Sequence, residues 1–476
     1  MIALTLAEIA ALTGGTLSPQ AEPDAVVSGP IVADSRRAGD GSLFVAVPGE
    51  RVDGHDFAAT AVELGATAIL ASKPVDSPAV MVDDTVLALG RLANGYLETR
   101  LAATVIGITG SSGKTSTKDL VAHLLSMLGP TVSPEGSFNT EVGVPLTMLR
   151  ADTETRFLAL EMSARGVGHI SYLCEIAPPR IAVVLNVGAA HIGEFGSREV
   201  VAQAKGELVE ALTADGVAIL NADDPLVAAM RARTIARVVT FGTGPDADVW
   251  SSDVRLDALA RPTFRLHRLA DSVEVRLALH GAHHVSNALA AAAVAFECGM
   301  TLPAVAQALQ SAGPVSHWRM EVQTRADGVT VVNDAYNANP ESMGAALQAL
   351  ASMGRGTSDR GPKRRTWAVL GEMAELGVHS AAAHQQVGAA AVAAGIDRLV
   401  AVGPVAAGIA DGAVAQGFSS SGIDCVGDVD EAVALLDREL AATDVVLVKA
   451  SRAADLQRIA QRLLAGSLPV EAGAGA

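Results

Sequence analysis

Short apolar runs alternate with longer amphipathic stretches from Ala103 almost to the end of the chain, and this period constrains the fold more than any other feature. "TVIGIT", "RFLALE", "IAVVLNV" and "GVAILN" each end in polar or Gly-containing turns that lead into helical segments. Strands separated by helices in this way assemble as parallel sheets with covering helices. A more β-like insert, "PTFRLHRLADSVEVRLALHG", and the helical "HHVSNALAAAAVAFECG" interrupt the alternation. It resumes after "AGPVSHWRME" with "GVTVVND", "TWAVLG", "DRLVAVG", "IDCVGD" and "DVVLVKA". Upstream, "SLFVAVPG", "ATAILAS" and "AVMVDD", with the helical "DFAATAVELG", form a smaller α/β unit. A chain of 476 residues exceeds one ordinary core. Three α/β domains are expected: a small one over 1–101, a central parallel-sheet domain over 102–314 and a Rossmann-like, doubly wound domain over 315–476. "GRGTSDRGPKRR" reads as a polar loop and "GSLPVEAGAGA" as a frayed tail.

The stretch "GITGSSGKTSTKDL", Gly107 to Leu120, makes the central domain a P-loop domain of ATPase type. A strand-like run meets a Gly/Ser turn and then a helix. Gly110, Ser111, Ser112, Gly113 and Ser116 would offer backbone N–H groups at a helix N-terminus, and Lys114 adds a full positive charge. In such loops a hydroxyl at Thr115 ligates the Mg²⁺ that accompanies a nucleoside triphosphate. The strict pattern wants Gly at 108, where this chain has Ile108, so "TGSSGKT" is a shorter loop. An ordinary turn with a surface lysine is the alternative, and the strand before and helix after argue against it. Ligands of parallel sheets bind beyond the carboxyl ends of the strands. "RFLAL" ends at Glu161 and "IAVVLNV" leads to His191, so Thr115, Glu161 and His191 share one sheet edge and form a candidate Mg²⁺ set. Lys205 in "AKGE" by itself reads as a solvated helix residue. In the last domain Arg319 suits a transferring phosphate, and Asp334, Tyr336 and Asn337 project from "NDAYNANPESM", though helix capping explains much of that motif.

Net charge is −17 with no basic block, which excludes a nucleic-acid or anionic-membrane surface. Three scattered cysteines without metal spacing fit a reducing cytoplasm. "MIALTLAEIAALTGG" lacks a basic start and carries Glu8, so it reads as a short amphipathic helix ended by Gly14 and Gly15 and not as a signal peptide. "NALAAAAVAF" is too short to span a bilayer. A soluble chain without membrane insertion is expected.

"TGSSGKTSTK", "FNTEVGVPLTML", "LEMSARGVGHI", "NVGAAHIGEFGS", "AKGELVEAL", "GAHHVSNALAA", "WRMEV", "NDAYNANPESM" and "LGEMAELG" stand in the order found in the Mur ligases, and the chain resembles that family over nearly its whole length. "YNANPESM", "GEMAELG" and "VLVKASRA" resemble the member that joins D-alanyl-D-alanine to UDP-N-acetylmuramoyl-tripeptide, in the synthesis of peptidoglycan precursors. The "DNPR" signature of the neighbouring enzyme is missing. The resemblance implies a UDP-substrate domain, an ATP domain and a domain that closes over both and helps bind the dipeptide. It implies that Lys114 and Thr115 bind ATP and Mg²⁺, with two metal sites served by Thr115, Glu161, His191 and a Lys205 that can be carbamylated. Asn287 is similar to an adenine contact, Arg319 and Asp334 to ATP contacts, Asn139 to a position near the reacting carboxylate, and Ser35 and Arg36 to the UDP-substrate motif. Tyr336 and Asn337 are expected to touch substrate. A cytoplasmic monomer is expected. His284 stands where the family pattern has Asn, Trp318 where it has Gly, and Ala450 where it has Gly. Rival readings are another amide ligase of the same build, such as a tripeptide synthetase or folylpolyglutamate synthase, and a P-loop nucleotide switch.

Overall fold

The computed structural model describes residues 2–49, 52–188, 192–355 and 363–466. Its largest sheet has nine strands. Across the sheet their order is Thr131–Val132, Phe157–Glu161, Thr104–Thr109, Ile181–Val184, Val217–Asn221, Arg237–Gly242, Val249–Leu256, Pro262–Arg268 and Asp271–Arg276. The first seven run parallel, and the last two continue the same sheet as an antiparallel edge. The β-like "PTFRLHRLADSVEVRLALHG" is thus part of this sheet and not a separate insert. Its alternation explains why: Pro262, Phe264 and Leu266 face inward, while intervening residues reach solvent, as a one-sided antiparallel edge requires.

The helix His283–Glu297 is buried from His284 to Phe296 except at Ser286, because it lies between the nine-stranded sheet and the helix Lys114–Ser126. Among the described residues no helix is long and apolar enough to cross a membrane.

The first unit has a five-stranded sheet built from Thr16–Leu17, Ala79–Met81, Ala68–Ala71, Leu43–Val45 and Ile31–Val32. The expected N-terminal helix is Leu6–Thr13, opened by a Thr5/Glu8 capping box and closed by Gly14 at φ +69°. One apolar cluster runs from Leu4 through Leu89, Leu92 and Tyr96 of the helix Thr85–Arg100 into Met148, Ile170 and Leu208 beneath the large sheet. The Tyr96 hydroxyl, within that core, donates to the Ala151 carbonyl (2.7 Å).

The third unit has six strands in the order Glu321–Thr324, Thr330–Asn333, Val445–Lys449, Thr366–Leu370, Arg398–Val402 and Ile423–Val426. All but the first are parallel, with a separate apolar cluster on each face. The last strand in sequence, Val445–Lys449, is inserted between two earlier ones.

Candidate active site

Thr104–Thr109 lies between Phe157–Glu161 and Ile181–Val184, so connections on its two sides diverge and open a crevice at its carboxyl end. The phosphate loop fills that position. Gly113 has φ +79°, and a Cβ there would stand 2.6 Å from Asn287 Oδ1, so both backbone and space require glycine. The helix Lys114–Ser126 that follows has no side-chain N-cap, which leaves its first N–H groups directed at the crevice. Asn186 braces the loop: its carbonyl accepts from Ser111 N (3.1 Å) and its Oδ1 from Ser112 N (2.9 Å). Lys114 Nζ donates to the Gly110 carbonyl (2.9 Å). Burial pushes the Lys114 ammonium below its ordinary pKa, Glu161 partly restores it, and the nearby Arg319 lowers it further.

Beside the lysine is a cluster of oxygens. Thr115 Oγ1 donates to Glu161 Oε2 (2.8 Å), Asn139 Nδ2 donates to Glu161 Oε1 (2.6 Å), and Ser137 Oγ is 3.0 Å from Thr115 Oγ1. Thr115 and Glu161 are 2% and 1% exposed, so the carboxylate is buried with polar partners on both oxygens. Two hydroxyls and a carboxylate form an all-oxygen donor set, which suits a hard cation such as Mg²⁺.

The third unit supplies the opposite wall. Arg319 Nη2 donates to Ser137 Oγ (3.0 Å), so the guanidinium from one unit meets the oxygen cluster of another. Its guanidinium carbon lies over the Tyr336 ring, 4.4 Å from the centroid. Both neighbours of Arg319 are in the left-handed region, Trp318 at φ +58° and Met320 at φ +49°. Such conformations cost non-glycine residues on the order of 1–3 kcal/mol each and persist where surroundings enforce them. Here the Met320 N–H donates to Asp334 Oδ1 (3.0 Å) and the Trp318 carbonyl accepts from Tyr336 N (3.2 Å). Asp334 in turn accepts from Lys449 Nζ (2.7 Å), which also donates to the Asn337 carbonyl (2.9 Å). Asn339 Nδ2 reaches across to the Ser111 carbonyl (3.3 Å). The cleft has a volume of about 660 Å³, enough for a nucleotide together with part of a second substrate.

Family models describe the chain in three consecutive parts. A Mur ligase family catalytic domain matches residues 30–96, the Mur ligase middle domain 108–295, and the Mur ligase glutamate ligase domain 318–452. The chain belongs to the Mur ligase family. Similar Mur ligases include UDP-N-acetylmuramoyl-tripeptide–D-alanyl-D-alanine ligases of Mycobacterium tuberculosis, 50% identical over 98% of each chain, and of Escherichia coli, 36% identical over 97% and 99%. Among solved Mur ligases, MurF from Acinetobacter baumannii superposes with a TM-score of 0.86 at 32% identity, covering 98% and 99% of the two chains. MurF from Thermotoga maritima, solved with ADP, gives 0.78 at 32% identity over 91% and 97%.

Within this Mur ligase, the cleft brings together Ser111, Ser112, Gly113, Lys114, Thr115, Ser116, Asn139, Glu161, Asn287, Arg319, Asp334, Tyr336 and Asn337. Gly110 lies just behind, as the acceptor of the Lys114 bond. His191 lies outside the described residues. Lys205 is 3% exposed, not solvated, and does not line the cleft. Burial, reinforced by the charge of Lys114, pushes its pKa well below the ordinary value. Ser35 and Arg36 are away from the cleft, in the 3-10 turn Ser35–Arg37 of the first unit, where Arg36 pairs with Asp34 (2.7 Å). Their neighbour Arg37 lies 3.6 Å from Glu135, two residues before Ser137.

Two of the three departures from the Mur pattern have visible settings. Trp318 occupies a left-handed position that would cost glycine nothing, and its ring lies 6.5 Å from that of Tyr336. His284 is buried beside His283, with ring centroids 4.3 Å apart, and its Nδ1 is 3.5 Å from Asn287 Nδ2. Sequence reasoning missed Ser137, Asn186, Asn339, Lys449 and Arg452. "VLVKASRA" was visible as a motif, but nothing in it named Asp334 as the partner of its lysine.

Proposed function

We propose that this Mur ligase joins D-alanyl-D-alanine to the terminal carboxylate of UDP-N-acetylmuramoyl-tripeptide, at the expense of ATP, through an acyl phosphate. The observation that carries this reading is the meeting of Lys114, Thr115, Glu161 and Arg319 at one cleft between two units. The names of its near relatives supply the substrates.

A carboxylate cannot acylate an amine directly in water, because oxide is an impossible leaving group. The peptide carboxylate therefore attacks the γ-phosphate of ATP and ADP leaves. The dipeptide amine then attacks the acyl carbon, loses a proton and expels phosphate. Lys114 and Arg319 offset the repulsion between the two approaching anions and stabilise charge on the transferring phosphoryl group. Thr115, Ser137 and Glu161 would hold Mg²⁺, which supplies further charge neutralisation when bound. Asn139 orients Glu161. Burial and the charge of Lys114 disfavour the Lys205 ammonium, which suits its amine to reaction with CO₂, and a carbamate there would serve a second metal region with His191. Asn287, with His283 and His284 beside it, would contact the adenine, and Ser35 and Arg36 would bind the UDP group, as the resemblance to the family implies. The first unit thus binds the sugar nucleotide, the middle one ATP, and the third closes on the dipeptide, in the cytoplasm.

Two measurements test the reading. Phosphate release should require ATP, the UDP-muramoyl tripeptide and D-alanyl-D-alanine together; release that ignores the dipeptide would point to a nucleotide switch. Tripeptide carrying ¹⁸O in its terminal carboxylate should pass one label to inorganic phosphate. Label retained wholly in the peptide rules out the acyl phosphate.

A further inference from the structure

Among the described residues five cations line the cleft, and four already have polar partners there. Lys114 donates to Gly110, Arg319 to Ser137 and Lys449 to Asp334, while Arg165 lies 4.0 Å from Glu375. The fifth is Arg452. Among the described residues no carboxylate comes within 4.0 Å of it, and its side chain makes only ring contacts. It follows the strand Val445–Lys449 and opens the turn Arg452–Ala454, at the carboxyl edge of the third unit's sheet, where ligands of such sheets bind.

The rings matter because they fix an exposed charge. The Arg452 guanidinium carbon lies 5.4 Å from the Tyr336 centroid and 5.6 Å from that of Trp318. Ring contacts engage the charge and leave the guanidinium N–H groups without a protein acceptor among the described residues, and such a planar fork takes a carboxylate through two parallel hydrogen bonds.

We infer that Arg452 anchors the free carboxylate of the incoming dipeptide. This rests on the ligase reading. D-alanyl-D-alanine offers an amine, two methyl groups and one carboxylate. Its amine has to reach the acyl group beside Arg319, so the carboxylate is the only charged handle left for recognition. Arg319 and Arg452 both lie against the Tyr336 ring, 4.4 and 5.4 Å from its centroid and hence no more than about 10 Å apart, so a dipeptide that spans about 7 Å when extended can present its amine beside one and its carboxylate to the other.

The test compares D-alanyl-D-alanine and its C-terminal amide as acceptors, with phosphate release as readout at saturating ATP and UDP-muramoyl tripeptide. The wild-type enzyme should show a KM for the amide at least tenfold above that for the acid. Arg452→Met should raise the KM for the acid by about 10- to 100-fold, the worth of a charge-assisted pair, with little change in kcat or in the KM for ATP. It should also use acid and amide equally well, and Arg452→Lys should fall between the two. Equal use of acid and amide by the wild-type enzyme overturns the inference without recourse to any variant. So does a rise in the KM for ATP in Arg452→Met with dipeptide KM unchanged. If no dipeptide triggers phosphate release in the wild-type enzyme, the ligase reading itself fails, and this inference with it.

Discussion

Replacing Lys449 by Met should separate what the third unit needs to fold from what it needs to act. Lys449 is almost fully enclosed, its side chain 3% exposed and that of Asp334 13%. Removing the ammonium leaves a largely desolvated carboxylate whose remaining neutral donor is the Met320 N–H, and it strips the Asn337 carbonyl of its donor. Breaking a buried pair from one side costs about 3–5 kcal/mol, mostly from the stranded charge. With a urea dependence of about 2 kcal/mol per molar, the unfolding midpoint of the third unit should fall by about 1.5–2.5 M. Tryptophan emission can follow this, since Trp318 and Trp367 lie in that unit and only Trp250 lies outside it. Lys449→Met combined with Asp334→Asn no longer strands a charge, so at least half of the lost stability should return. Turnover should not return, because the loop from Asp334 to Asn337 forms the cleft wall that the pair positions. A single variant within about 0.3 M of wild type, or a double variant no better than the single one, would refute the stranded-charge account. Recovery of turnover along with stability would show that the pair serves folding alone.

Lys114→Ala should leave the fold intact and slow ligation at least about a hundredfold, a loss on the order of 3 kcal/mol of transition-state stabilisation; near-normal turnover in a folded variant would remove Lys114 from the mechanism. Lys205→Ala should lose most activity and regain part of it with added acetate or formate, and an unresponsive or nearly normal variant ends the carbamate proposal. Burial lowers the His283 imidazole to about 4 from an ordinary 6.5, so the unfolded chain takes up this proton first. The stability it contributes is complete above pH 6.5 and is lost as pH falls toward 4. His283→Gln should flatten the pH dependence of the urea midpoint in that window, and an unchanged slope would refute the assignment.

How much could be read from the sequence depended on whether partners are close along the chain. Lys114, Thr115 and Gly113 are contiguous, and strand, turn and helix follow one another, so the phosphate loop was legible. Glu161 was legible because it ends a strand, and the strand-end rule needs no knowledge of neighbours. Lys449 and Asp334 are 115 positions apart, and they meet because the final strand enters the sheet beside Thr330–Asn333. Strand order of that kind is not written in apolar periodicity. Ser137 lies in an irregular loop, where no period marks a side chain as inward, and its role shows only in its contacts with Thr115 and with Arg319 from another unit. Lys205 failed in the opposite direction. A lysine on an amphipathic helix reads as solvent-facing, whereas here it occupies the buried stripe with Val201, Ala204 and Leu208.

The apolar cluster that runs without a break from Leu4 to Ala236 has a consequence for anyone cutting or recombining this chain. The first sheet and the nine-stranded sheet are inseparable in the way two halves of one core are, whereas the third sheet keeps clusters on both of its own faces. A fragment beginning near residue 102 would present Val144, Met148, Ile170 and Leu173 to water in place of Leu89, Leu92 and Tyr96, and would aggregate. Chimaeras that exchange the first unit between related proteins therefore have to carry the helices Gly143–Met148 and His169–Ile176 with it, or redesign their inward faces. A junction placed in the 311–317 segment separates only Ala260 and Leu256 from the third unit's apolar cluster and is the natural seam for an exchange.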